Sequence, residues 1–253
     1  MTNNFMFQDA WPTIMYFSMW DDHENYSDMI KEIIYEDSLK YDTELATDIG
    51  IRIKSNLKES SLSFFKENSN DYRLVDLVLW IEENIRYYYD TLKNRFGSVL
   101  EKSTKIESYK INFRDSWYHI TKNKGYHDMH THGNSSVCGI YYVDVGNSNM
   151  NDANGINRFR APFYPQTDDL DRGYSWYPSD IIDVEPQNGK LILFPGYLLH
   201  SATPYFGDDD RIVIAFNAQI HKESESYKPT LSGLFDMFNT IGNQQENLFD
   251  ENS

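Results

Sequence analysis

Gly189-Lys190-Leu191-Ile192-Leu193-Phe194-Pro195-Gly196-Tyr197-Leu198-Leu199-His200 decides how the chain reads. A short apolar run leads into a Pro-Gly break, and a histidine follows it, the grammar of a buried strand stopped by a turn. Eleven residues after His200, Arg211-Ile212-Val213-Ile214-Ala215-Phe216-Asn217 repeats the form with a cation at its head. Outward from these two runs, the chain beyond about residue 105 holds six more: 109–120, 126–132, 136–145, 156–163, 181–185 and 200–205, beside 190–194 and 211–220. The breaks between them carry Lys124-Gly125, Gly133-Asn134, Gly146-Asn147, Asn188-Gly189, Pro195-Gly196 and Gly207-Asp208. Short strands separated by such turns predict a β-sandwich or jelly-roll barrel. The polar segment 146–180 reads as a lid or mobile insertion.

The first hundred residues have a different texture. Met29, Ile30, Ile33 and Ile34 share a helical face within 26–36, with Asn25 or Ser27 as the cap. Leu74, Leu77, Ile81, Ile85, Tyr88 and Leu92 recur at three- and four-residue steps within 72–96, and Gly97 stands where a C-cap belongs. Residues 12–17 read as a strand. The chain therefore divides into a mostly helical region packing on the core (1–104), a β core (105–222) and a polar tail (223–253) with a weak helix near 230–240.

Composition narrows the function. With 253 residues, 40% of them apolar, there is enough for one large domain or one domain with an elaborated flank. Lys and Arg number 23 against 39 Asp and Glu, a net charge of −16 that argues against a nucleic-acid partner. No apolar stretch has the length of a membrane helix, and the first residues lack the basic start of a signal peptide. The single Cys138 excludes an internal disulfide and fits a reducing compartment, so a cytoplasmic location is expected.

Chemistry concentrates in Gly125-Tyr126-His127-Asp128-Met129-His130-Thr131-His132-Gly133. On a strand, Asp128, His130 and His132 share one face and His127 lies on the other. Two imidazoles at i and i+2 can chelate one divalent ion, and imidazole suits iron, zinc, copper and nickel. Two ligands make no site, so His200 matters as a third, and Asp128 is an alternative carboxylate ligand. Arg211, heading an apolar strand, must find an anion or stay at the rim, where Asp208, Asp209 and Asp210 are at hand.

The ordered set His-x-His, a β region, His and then Arg resembles the Fe(II)- and 2-oxoglutarate-dependent oxygenases, most nearly a branch common in marine bacteria and phages. The matching residues are Trp117, His130-Thr131-His132, Val137-Cys138-Gly139-Ile140-Tyr141-Tyr142-Val143, Gly189 to Pro195, Leu199-His200, Pro204 and Arg211 to Asn217. The likeness spans roughly 105–220. It implies a mainly β fold, α+β overall, with a double-stranded β-helix of jelly-roll or cupin type and an N-terminal helical region. It also implies that His130, His132 and His200 hold Fe(II), His132 standing where most of the family has a carboxylate. Arg211 would take the far carboxylate of 2-oxoglutarate. Val213 stands where a Ser often follows that Arg, so a second anchor is expected from Tyr141 or Tyr142. Cys138, where the branch has Ser, reads as a packing residue.

The implied reaction consumes dioxygen and 2-oxoglutarate and hydroxylates a small molecule or an amino-acid or peptide side chain, releasing succinate and CO2. Its setting would be the cytoplasm of a bacterium or phage-infected host, with a homodimer left open. Arg158, Arg160 and Arg172 in the insertion could attract an anionic substrate or pair with Asp168, Asp169 and Asp171, and Tyr174, Trp176 and Tyr177 could stack on it. Two other classes compete: a three-histidine cupin-type metalloenzyme that does not use 2-oxoglutarate, and a non-catalytic jelly-roll binding protein.

Overall fold

The computed structural model describes residues 13–40, 56–100, 109–162 and 180–222. The elements run β1 (Tyr16–Met19), α1 (His23–Ser38), β2 (Leu57–Glu59), α2 (Phe64–Glu67), α3 (Tyr72–Leu100), β3 (Tyr109–Thr121), β4 (His127–His130), β5 (Val137–Asp144), β6 (Asn157–Arg160), β7 (Ile181–Val184), β8 (Lys190–Phe194), β9 (His200–Ala202) and β10 (Arg211–Lys222). All eight strands expected after residue 105 are present. A six-stranded sheet has the order β1-β8-β5-β10-β3-β2, and a four-stranded sheet the order β4-β9-β6-β7. Every pairing in both is antiparallel. This is the two-sheet jelly roll that the sequence predicts.

The period of two sorts the central strands onto two faces. Cys138, Ile140, Tyr142, Ile192, Phe194 and Val213 of the large sheet meet Phe159 and Val184 of the small one, so these residues fill the space between the sheets. Tyr141, Val143, Leu191, Leu193, Ile212, Ile214 and Phe216 point the opposite way, onto Ile30, Ile33 and Ile34 of α1 and Leu74, Leu77, Ile81 and Ile85 of α3. Strand β5 is consequently buried on both faces until its last residue. Each buried Leu or Ile contributes roughly 1.5–3 kcal/mol, so the two helices are held by their apolar stripes more than by their ends. Gly139 lies under the Phe216 ring, and a Cβ there would fall 2.0 Å from a ring carbon.

Several local expectations are corrected. Helix α1 begins at His23 after Asp22, not at Asn25 or Ser27, and Asp22 makes no side-chain capping bond. Helix α3 continues past Gly97 to Leu100. The first strand is Tyr16–Met19 rather than 12–17. The expected insertion 146–180 contains β6, which sits between β7 and β9 and is part of the small sheet. The N-terminal region supplies both borders of the large sheet, β1 on β8 and β2 on β3. Residues 163–179, with Arg172, Tyr174, Trp176 and Tyr177, and the tail from 223 lie outside the described residues. Among the described residues, no helix is long and apolar enough to cross a membrane.

Candidate metal and anion site

Strands β4 and β9 pair antiparallel with His130 opposite His200. A directly opposed cross-strand pair brings side chains into contact, and the two imidazole centroids are 4.3 Å apart. His132 follows the strand. Its backbone N–H donates to the Gly196 carbonyl at 2.9 Å, so the Pro195-Gly196 turn fixes its place. Its ring lies 4.9 Å from that of His130 and 5.1 Å from that of His200. One ring nitrogen from each of the three lies within 4.8 Å of the others, a spacing that can hold a metal ion.

The tautomers suit that task. His200 Nδ1 is 2.9 Å from the Leu198 carbonyl and His130 Nδ1 is 2.7 Å from the Asp128 carbonyl. An N–H donated to a backbone carbonyl leaves Nε2 as the lone pair. Burial, reinforced by neighbouring imidazoles, lowers the pKa of His200 to about 3 and that of His132 to about 4. Both are therefore neutral near pH 7. His200 is wedged between Phe159 and Phe194, which fix its ring plane.

Regular alternation fails on β4, because its register shifts between His127 and His130. The shift turns Asp128 outward. Asp128 is exposed, and its carboxylate accepts the Met129 N–H at 2.7 Å. It is not in the histidine group. His127, expected on the other face, packs 4.2 Å from the His130 ring instead.

Arg211 is 1% exposed. Its Nε donates to the Gly155 carbonyl at 2.7 Å, and an Nη donates to Asn157 Oδ1 at 2.9 Å. Gly155 has φ +60°, and a Cβ there would lie 2.6 Å from Ser148 Oγ, so glycine permits the turn that presents this carbonyl. The Tyr142 hydroxyl donates to the same Asn157 oxygen at 2.6 Å, and the Tyr142 ring lies 5.6 Å from the guanidinium carbon. Burial pushes the Tyr142 phenol up to about 12, so it stays a neutral donor. The expected pairing of Arg211 with Asp208, Asp209 or Asp210 does not occur. Asp210 faces Tyr35 and Lys122, and Asp209 faces Asn147. Among the described residues no carboxylate forms an ion pair with Arg211. A buried cation without a counter-charge costs several kcal/mol unless something else supplies the anion.

Tyr141 does not join this group. Its hydroxyl is 2.7 Å from His23 Nδ1, and its ring packs against Trp20 and Trp80 on the helix-covered face. Arg158 pairs with Asp183 across β6 and β7, and Arg160 with Asp180, while Asp168, Asp169 and Asp171 lie outside the described residues. Asn157 carried no sequence signal, yet it joins Tyr142 to Arg211. One cavity of about 430 Å³, counting its open part, is lined by the three histidines, Arg211 and Asn157 together with apolar side chains.

Clustered imidazoles that could hold a metal ion and a buried arginine with no carboxylate partner among the described residues thus face one cavity of the jelly roll. Residues 115–217 match the family described as "Putative 2OG-Fe(II) oxygenase", whose cofactors by that description are Fe(II) and 2-oxoglutarate. No curated protein matches the chain in sequence. Among solved structures, the chain is similar to a Pseudomonas putida prolyl-4-hydroxylase, with 11% identity, 81% of this chain and 92% of that one covered and a TM-score of 0.49. It is also similar to the viral collagen prolyl hydroxylase of Paramecium Bursaria Chlorella virus-1, solved with 2-oxoglutarate, at 12% identity, 80% and 95% coverage and a TM-score of 0.43. HygX from Streptomyces hygroscopicus, solved with nickel, 2-oxoglutarate and hygromycin B, is similar at 13% identity, 81% and 82% coverage and a TM-score of 0.45. The likeness to the oxygenase family is carried by the match over 115–217 and not by these distant structures.

Proposed function

We propose that His130, His132 and His200 hold Fe(II), and that Arg211, positioned by Asn157 and Tyr142, holds the far carboxylate of 2-oxoglutarate. The reaction is then hydroxylation of a small molecule or of an amino-acid or peptide side chain, with succinate and CO2 as by-products. The observation that carries this reading is the buried, acid-free Arg211. A planar guanidinium grips a carboxylate through parallel hydrogen bonds, and a ligand carboxylate supplies the charge that no described residue does. This favours 2-oxoglutarate over a three-histidine cupin chemistry without it, which would give Arg211 no partner.

Three imidazoles fit Fe(II), and the cavity they face would leave room for its small ligands. Iron bound there supplies the redox chemistry with dioxygen that is coupled to decarboxylation of 2-oxoglutarate. The chain's own part is placement. His200 is held by its Leu198 bond and its two phenylalanines, Arg211 by Gly155 and Asn157, and the apolar lining limits water around both.

Replacement of any one of the three histidines by alanine is expected to remove most of the iron. Anaerobic metal analysis and metal-dependent thermal shift of each variant test it. Full iron retention in His132→Ala together with loss in Asp128→Ala would give Asp128 the third position.

A further inference from the structure

Beside the three-histidine cluster lies a second convergence of metal-type donors. We propose that Glu59, His119 and His127 form a separate divalent-cation site. Glu59 on β2 is the register partner of His119 on β3, and His127 opens β4. One ligand atom from each lies within 4.8 Å of the others. Two imidazoles and a carboxylate are a donor set that suits Fe(II), Zn(II) or Mn(II) and leaves positions for water.

The proton arrangement gives an independent reason. Glu59 is 2% exposed, and no lysine or arginine pairs with it among the described residues. Its Oε2 lies 2.6 Å from His119 Nε2, and the Trp117 indole N–H lies 3.0 Å from that same nitrogen. A single ring nitrogen cannot donate to the carboxylate and accept from the indole at once. Two groups therefore compete for that nitrogen, and the buried carboxylate has no lysine or arginine to neutralise it among the described residues. A cation bound to the carboxylate supplies the missing positive charge. His127 is prepared for such a role. Its ring stacks on that of His119 at 5.1 Å.

The site joins what the fold otherwise keeps apart. Glu59 and His119 belong to the large sheet and His127 to the small one, so a cation there fastens the N-terminal region and both sheets next to His130. It would also add positive charge beside the cavity that His119 and His127 help to line.

The test is Zn(II) reloading of the chelator-stripped full chain, read as metal per chain, with anomalous diffraction from Zn-loaded crystals. The parent should take up about two ions, Glu59→Gln and His200→Ala about one each. Anomalous peaks should lie at both clusters. Uptake of one ion with a single peak among His130, His132 and His200, unchanged by Glu59→Gln, overturns the proposal. A single peak at Glu59, His119 and His127 would uphold it and instead sink the iron assignment above. If Glu59→Gln does not fold, the parent crystals decide the matter alone.

Discussion

Tyr141 and Tyr142 are neighbours on one strand, both fully buried, and they belong to different parts of the protein. Tyr141 faces the helices, among Trp20, Trp80 and His23. Tyr142 faces the interior between the sheets, beside Asn157 and Arg211. The outer face is a core of packed rings, in which the Tyr141 hydroxyl meets His23 and the Tyr88 hydroxyl donates to the Ile14 carbonyl. The inner face contains a buried cation with no carboxylate partner among the described residues. The difference teaches that burial alone does not mark a site; burial with unmatched charge does.

The largest expected effect lies on the inner face. Arg211→Ala should weaken 2-oxoglutarate binding by tens- to thousands-fold, roughly 2–5 kcal/mol, while iron binding changes little. Arg211→Lys should recover only part of it. Anaerobic titration of the Fe(II) enzyme with 2-oxoglutarate, followed by its charge-transfer band, measures both, and parent-like binding by Arg211→Ala would end the anion-site reading.

Gly139→Ala attacks the boundary between the faces. Its methyl group must displace the Phe216 ring, a form of overpacking that costs about 1–3 kcal/mol, and a lowered urea midpoint should report it. An unchanged midpoint would mean that Phe216 turns away freely.

The two tyrosines can then be set against each other. Tyr142→Phe removes a donor to Asn157 and should lower 2-oxoglutarate affinity several-fold, about 1 kcal/mol. Tyr141→Phe should leave that affinity alone and cost about 1 kcal/mol of stability, because His23 loses its partner. Equal effects of both on the titration would erase the distinction between the faces.

The smallest effect concerns the outer layer. Arg73 bonds to Asp71 and Glu36, tying α3 to α1, and this bonding depresses the Asp71 pKa below the usual carboxylate value. A depressed folded-state pKa stabilises above the unfolded value near 4 and loses that contribution as pH falls through the folded one. The small melting-temperature gap between the parent and Asp71→Asn should therefore be present at neutral pH and close below about pH 4, without any change in the titration.

Much of this was legible in the chain because it depends on local period. The eight β runs and the two long helices announced themselves through alternation, apolar steps and Pro or Gly breaks. Strand β2 and helix α2 did not, since three or four residues contain no period to read. The histidine triplet was visible as spacing, but the bulge that turns Asp128 out and His127 in is a pairing irregularity with no composition of its own. Alternation separates Tyr141 from Tyr142 yet does not say which one faces inward; the partner sheet decides that. Arg158 was read against Asp168, Asp169 and Asp171 of the same loop, which lie outside the described residues; Asp183, its register neighbour across β6 and β7, pairs with it without any sequence signal. Asn157 is an ordinary residue made important only by where β6 sets it.

The borders of the large sheet deserve a different kind of attention, that of a cutter deciding where cloth can be trimmed. β1 and β2 are its two hems, and both come from sequence ahead of the segment that carries the family pattern. An excised 115–217 would lose both hems and begin partway along β3, exposing rows of unpaired N–H and C=O groups on either side. Such edges recruit other chains. The family pattern thus marks where the chemistry resides, while the smallest piece able to stay soluble and single extends well upstream of it.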